Sequence, residues 1–261
     1  MKTTALAVLF LALAANATEK PTRARIVQAV EQIRKADYED DRPALKRLYD
    51  ELAPYADDAQ LASRVRYWRG FALWRRAFNG FNDYAPRPEI EADMVQALAE
   101  FDASSARDPG FVDAKVGAIS CVSNLMFLHR AEPARAKEYL LRGQALSKEA
   151  LAAAPDNPRL LWVIGANRFW SPRDRGGGQD KALETYQMGL ASARKQRPAA
   201  DPLEPTWGEP ELLANLAWTN LNATNRDVAA AEKYAREALA LVPTWHYLRD
   251  ILLPQIVAAK D

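Results

Sequence analysis

Residues 154–190, APDNPRLLWVIGANRFWSPRDRGGGQDKALETYQMGL from Ala154 to Leu190, decide how the chain is read. Asn157 can accept hydrogen bonds from the free amides of the next turn, and Pro158 suits the first helical position because its missing N–H would go unpaired there anyway. Leu160, Leu161, Ile164 and Phe169 follow at helical spacing, and Trp162 and Val163 fill much of the remaining surface. A helix apolar nearly all round belongs between neighbours. Pro172 and Gly176–Gly178 stop it. A second helix opens near Gln179 with Ala182, Tyr186 and Gly189 in a small–aromatic–small series, which lets two helices approach closely.

Working outward, the same plan continues in both directions. Upstream, helices are expected over Thr22–Asp37, Arg42–Ala53, Asp57–Asn79, Glu89–Arg107, Phe111–Leu128 and Pro133–Ala153. The Asp57–Asn79 segment carries two apolar stripes, one with Trp68 and one with Tyr67, Phe71, Trp74 and Phe78, so it is expected to make contacts on two sides. Phe111–Leu128 is apolar enough to raise the question of a membrane span, but Asp113, Lys115 and Asn124 favour a buried core helix. Downstream, Pro198–Pro210 holds four prolines and Trp207 and reads as a packed connector. Helices are expected again over Glu211–Ala223, Asp227–Leu241 and Thr244–Ala259, with Pro254 bending the last. No period-two alternation persists between turn signals, so an all-α chain is expected.

The first 17 residues read as a signal peptide: Lys2, then an apolar run over Ala5–Ala15, then the small-x-small site Ala15-Asn16-Ala17. That run is about half the length of a spanning helix. Cleavage after Ala17 and a periplasmic or secreted product are expected, with no membrane span once the leader is gone. The formal charge of +1 becomes 0 when Lys2 leaves, which gives no electrostatic reason to expect nucleic acid as a partner. The lone Cys121 cannot form an internal disulfide and lies in an apolar run, the setting of a buried thiol.

Glycines at 70, 117 and 165 recur at steps of about 47 inside first helices. Second helices carry Ala97-x3-Phe101 leading to Pro109, Gly143 leading to Ala150 and Pro155, Ala182-x3-Tyr186, and Ala231 leading to Ala238 and Pro243. Small residues where two helices cross, with proline closing each pair, resemble the tetratricopeptide repeat (TPR), here lengthened beyond its usual period of about 34 residues. The resemblance is weaker in the first helices, where Arg66 and Arg69 stand at positions that pattern usually keeps apolar. It implies a TPR-like α-α superhelix (solenoid) of about five helix pairs. The expected organisation is a helical pair over 18–56, repeats over 57–243 and a C-terminal capping helix over 244–261. The central stretch with Pro205-Thr206-Trp207-Gly208 also looks like a group of exported bacterial TPR proteins of no settled activity. The overall plan is similar to the periplasmic TPR protein that accompanies some TRAP-type transporters.

Catalytic chemistry has little to work with. His129 and His246 are far apart and lack partners at metal-ligand spacing, and no nucleophile elbow, HExxH or Walker loop is present. No enzyme, cofactor or metal is expected. Two surfaces remain. The concave face of such a superhelix would offer Tyr67, Trp74, Asn124, Trp162, Asn167, Trp170, Trp218 and Asn222 to a protein or peptide partner, the other reading of these aromatics being helix–helix core. The glycine run offers an anion site of Arg173, Arg175, Gly176, Gly177, Gly178 and Lys181, the other reading being a tight turn between packed helices. The functional expectation is an exported scaffold for a protein or peptide, with a small-molecule-binding accessory of a TRAP-type transporter as the alternative.

Overall fold

The computed structural model describes residues 22–260. The expected leader, Met1–Ala17, lies outside them. Among the described residues all regular structure is helical. Helix α1 covers 22–38. It is followed by α2 (Arg42–Glu51), α3 (Ala62–Asn82), α4 (Arg87–Arg107), α5 (Val112–Leu128), α6 (Pro133–Ala153) and α7 (Pro158–Trp170). Then come α8 (Gln179–Ala193), α9 (Glu209–Asn222) and α10 (Val228–Leu241), and a π-helical turn, Tyr247–Leu252, leads into α11 (Leu253–Ala258).

The starts of these helices have local causes. The Asn157 side chain accepts from the amides of Arg159 at 2.9 Å and Leu160 at 3.1 Å, with Pro158 as the first helical residue. Such a cap is worth about 1 kcal/mol. Asp41 and Asp227 cap α2 and α10 in the same way. Helix α3 begins at Ala62 rather than Asp57, because the Asp58 carboxylate takes the amides of Gln60 and Leu61 into a turn first. Helix α9 begins at Glu209 rather than Glu211, and the Glu211 side chain reaches back to accept from Gly208 N–H at 2.7 Å. The bend expected at Pro254 takes the form of the π-helical turn just before it, which accommodates the donor that proline lacks.

Helices α3 and α4, α5 and α6, α7 and α8, and α9 and α10 pack as consecutive pairs, and α3, α5, α7 and α9 form the inner row. Small residues mark the crossings as the repeat predicts. The Phe101 ring of α4 lies between α3 and α5, where a Cβ on Gly70 would come within 3.0 Å of it and one on Gly117 within 2.4 Å. Gly165 of α7 meets Tyr186 of α8 in the same way, at 2.3 Å.

The arginines that weaken the repeat signature are lateral ties. Arg69 is buried, donates to Glu100 at 2.9 Å and to the Tyr49 carbonyl at 2.7 Å, and so joins α2, α3 and α4. Arg66 bridges Glu100 and Asp57. Arg75 is buried against Asp37 of α1 at 2.7 Å.

The stack curls until its first and last parts touch. Arg23 pairs with Asp201 at 2.6 Å, the Tyr38 hydroxyl donates to Glu211 at 2.6 Å, and the Tyr38 ring meets Trp245 with centroids 5.1 Å apart. One stretch of the array is looser. Helix α6 packs on α5, barely touches α7, and buries Ala150 alone, leaving Leu140 and Leu141 exposed.

Candidate functional site

The inner wall divides into a covered half and an open half, and the divider is the connector 198–208. Trp207 sits at the centre of the covered half, with ring centroids 5.7 Å from Trp74, 5.7 Å from Trp162 and 5.8 Å from Phe71. Its indole N–H donates to the Tyr67 hydroxyl at 2.8 Å. The wall in turn holds the connector's backbone: Trp68 donates to the Leu203 carbonyl at 2.8 Å and Arg159 to the Trp207 carbonyl at 3.1 Å. Tyr67, Trp74 and Trp162 are therefore core residues here, with 1%, 0% and 7% of their surface exposed, and the expectation that they line an open concave groove is corrected. The cause is the chain's own connector, which fills that half of the groove. Burial also pushes the Tyr67 phenol well above its ordinary pKa range.

The open half carries Trp170 and Trp218 of the remaining candidates. Phe169, Trp170 and Trp218 form an aromatic triad, with Phe169 5.0 Å from each of the two tryptophans and Trp170 6.2 Å from Trp218. Trp170 is 77% exposed. Helical spacing puts Phe169 on the stripe of Trp162 and places Trp218 and Asn222 on the stripe of Glu211, so the triad continues the covered half toward the C-terminal ends of α7 and α9. Asn124 and Asn167 are half-buried and Asn222 is exposed. The amide nitrogens of Asn124 and Asn222 each donate to a carbonyl one turn back in their own helix, at 2.8 Å, which spends one donor of each.

The glycine run is a packed turn. Gly176 and Gly178 adopt φ of 75° and 119°, which glycine reaches without strain. Their amides are used internally: Gly176 N–H donates to Arg173 O, Gly177 N–H to Pro172 O and Gly178 N–H to Arg168 O. A Cβ on Gly177 would lie 2.2 Å from the Ser171 carbonyl. Arg173 pairs with Asp180 at 3.2 Å and Lys181 with Glu184 at 2.7 Å, while Arg175 is exposed. The glycine amides and two of the three cations thus already have partners, and the geometry favours the tight-turn reading over the anion site. Beside the run lies a shallow cleft of about 570 Å³ lined by Phe169, Arg173, Gln179, Asp180, Thr224 and Asn225 among others.

A second cleft, of about 630 Å³, runs between α7 and the start of the connector. Its charged centre is Arg159, which holds Asp113 through two hydrogen bonds of 2.6 and 3.1 Å and reaches Gln196 at 3.3 Å. The expectations drawn from sequence do not include this pair. A polar residue in an otherwise apolar helix start, Arg159 beside Leu160, is the signal that could have pointed to it. His129 is buried between Glu91 at 2.9 Å and Glu132 at 2.7 Å, which ties the end of α5 to α4. Cys121 is buried, and burial pushes its thiol well above the ordinary range. Among the described residues no group of three or more His, Cys, Asp or Glu is placed to hold a metal ion, and no helix is long and apolar enough to cross a membrane.

No family model and no curated relative matches this chain. Among solved structures, a thermophilic TPR protein from Thermus thermophilus matches with a TM-score of 0.53 and 17% identity, over 90% of this chain and 99% of that one. The fold is TPR-like. At this identity the likeness speaks to the superhelix alone, which agrees with the helix pairs and glycine–aromatic crossings above.

Proposed function

We propose that this chain is an exported, non-catalytic TPR-like scaffold that binds a protein or peptide partner at the open half of its inner wall. The observation that carries the reading is the aromatic triad. Trp170 stands 77% exposed at the end of a well-packed helix, in contact with Phe169 and Trp218. Large rigid aromatics offered at one spot of a folded surface are the usual anchors of an interface. Export rests on the leader Met1–Ala17, and a mature chain beginning at Thr18 in N-terminal sequencing of the native protein tests that part.

A second reading, a small-molecule-binding accessory of a TRAP-type transporter, calls for an enclosed pocket lined by Trp and Asn. Trp74 and Trp162 are instead packed on Trp207, so the scaffold reading is preferred. A photo-reactive residue placed at 170, and at Tyr84 as a still more solvent-facing control, tests it in the native host. Cross-links to a discrete protein from position 170 and none from 84 are expected; equal yields from both would sink the assignment of this surface.

A further inference from the structure

In this array a second helix is normally held from two sides. Helix α4 packs on α3 and on α5, and α8 packs on α7 and on α9. Helix α6 is the exception: it packs on α5 and barely touches α7. Ion pairs tie it to α4, from Arg135 to Glu91 at 3.1 Å and from Arg142 to Asp102. Among the described residues no hydrogen bond or ion pair ties it to α8. The outer row is therefore open between α6 and α8.

The walls of that opening are apolar. Helical spacing puts Leu140 and the half-buried Leu151 on the side of α6 opposite Arg135 and Arg142, with Leu141 at its outer rim. Leu140 and Leu141 are exposed. From α8 comes the exposed Met188, one turn before Ser192, whose hydroxyl donates to the Asp156 carbonyl in the turn between α6 and α7. The charge is one-sided. Lys137 and Lys148 stand on the same side of α6 as the leucines, and among the described residues neither has an ion pair or hydrogen bond. On α8, Lys181 is neutralised by Glu184. Helix α6 thus has its cations paired where a neighbouring helix brings acids, and unpaired where the neighbour is missing.

We propose that the opening between α6 and α8 receives an amphipathic, acidic α-helix of a protein partner. Its apolar stripe would lie on Leu140, Leu141 and Met188, and its carboxylates would meet Lys137 and Lys148. The two lysines are about 16 Å apart along α6, three turns of helix. Helix α4 shows the fit on the other side, where its acids Glu91 and Asp102 have the same spacing in sequence as Lys137 and Lys148. This surface shares no residue with the aromatic triad, so the two readings stand or fall separately.

The test uses the full chain and, as probe, a labelled synthetic helix of about 18 residues with a leucine stripe and two glutamates at the Glu91–Asp102 spacing. One comparator carries lysines for the glutamates and another a central proline, which breaks the helix. Fluorescence anisotropy is expected to show the acidic helix binding and each comparator at least about tenfold weaker. Leu141→Asp and the double reversal K137E/K148E are each expected to weaken it at least about tenfold with an unchanged thermal midpoint, and the reversal to turn the preference toward the lysine peptide. Trp170→Ala is expected to leave it unchanged. Absence of acidic-helix binding, equal binding of the lysine peptide, or indifference to Leu141→Asp each overturns the proposal. A dimer in sedimentation, or binding to anionic lipid vesicles, that Leu141→Asp abolishes would assign the opening to another occupant and overturn it too. Loss of the acidic helix on Trp170→Ala would move that peptide to the triad, ending this proposal and leaving the scaffold reading standing.

Discussion

Two aromatic clusters sit on the same inner wall in opposite surroundings. The first, Tyr67, Phe71, Trp74, Trp162 and Trp207, is closed over by the connector and has every indole N–H paired inside the protein. The second, Phe169, Trp170 and Trp218, lies farther along α7 and on α9, and ends in an indole that is mostly in water. Residue type does not separate them, since both are built of Trp and Phe. What separates them is whether a distant part of the chain comes to lie on top. A superhelix of this kind supplies a long wall, and its connector determines how much of that wall is left for anything else.

The comparison can be broken most sharply at Trp207. Trp207→Ala removes the residue that closes the covered half, and a loss of about 3–5 kcal/mol in urea unfolding is expected. A loss below about 1 kcal/mol would mean that the covered cluster is not a core at all. Next in size, Gly117→Ala drives a methyl group into the Phe101 ring, which both α3 and α5 crowd, and is expected to cost about 1–3 kcal/mol. An unaffected midpoint would show that the helix crossing is slack.

A smaller effect concerns the junction that holds the first and last repeats together. Burial, with the neighbouring Asp83 carboxylate, pushes Asp40 up to about 6, against lowering by His246 and Arg42. The folded state therefore holds this proton more tightly than the unfolded chain does. The associated stability is fully present below about pH 4 and is lost as pH rises through about 6. Asp83→Asn removes the like charge, so the variant should decline less than the parent between about pH 4.5 and about pH 7. Parallel denaturation midpoints across that range would refute the assignment. Smallest of all, Trp170→Ala is expected to shift stability by no more than about 0.5 kcal/mol, as measured by thermal melting, because the open cluster is spared from core duty.

Much of the architecture is readable from one dimension. Asn157-Pro158 announces a helix start, and Gly70, Gly117, Gly165, Phe101 and Tyr186 announce the crossings, because these signals are local or repeat at helical spacing. The covering of the wall is not readable. Trp68 meets Leu203 across 135 positions and Arg23 meets Asp201 across 178, and no periodicity reaches that far. The candidate residues consequently mix Trp74 and Trp162 with Trp170 and Trp218, which share a wall but not an environment. Arg69 looks like a flaw in the pattern because its acceptor, Glu100, lies on another helix.

The handshake of Tyr38 with Glu211 and Trp245 has a further corollary. Most helical-repeat arrays can be lengthened or shortened by a unit, since each unit knows only its neighbours. Here the two ends clasp, so inserting or deleting one pair would pull the clasp apart. This array has a set size, and its ends should melt together with its middle.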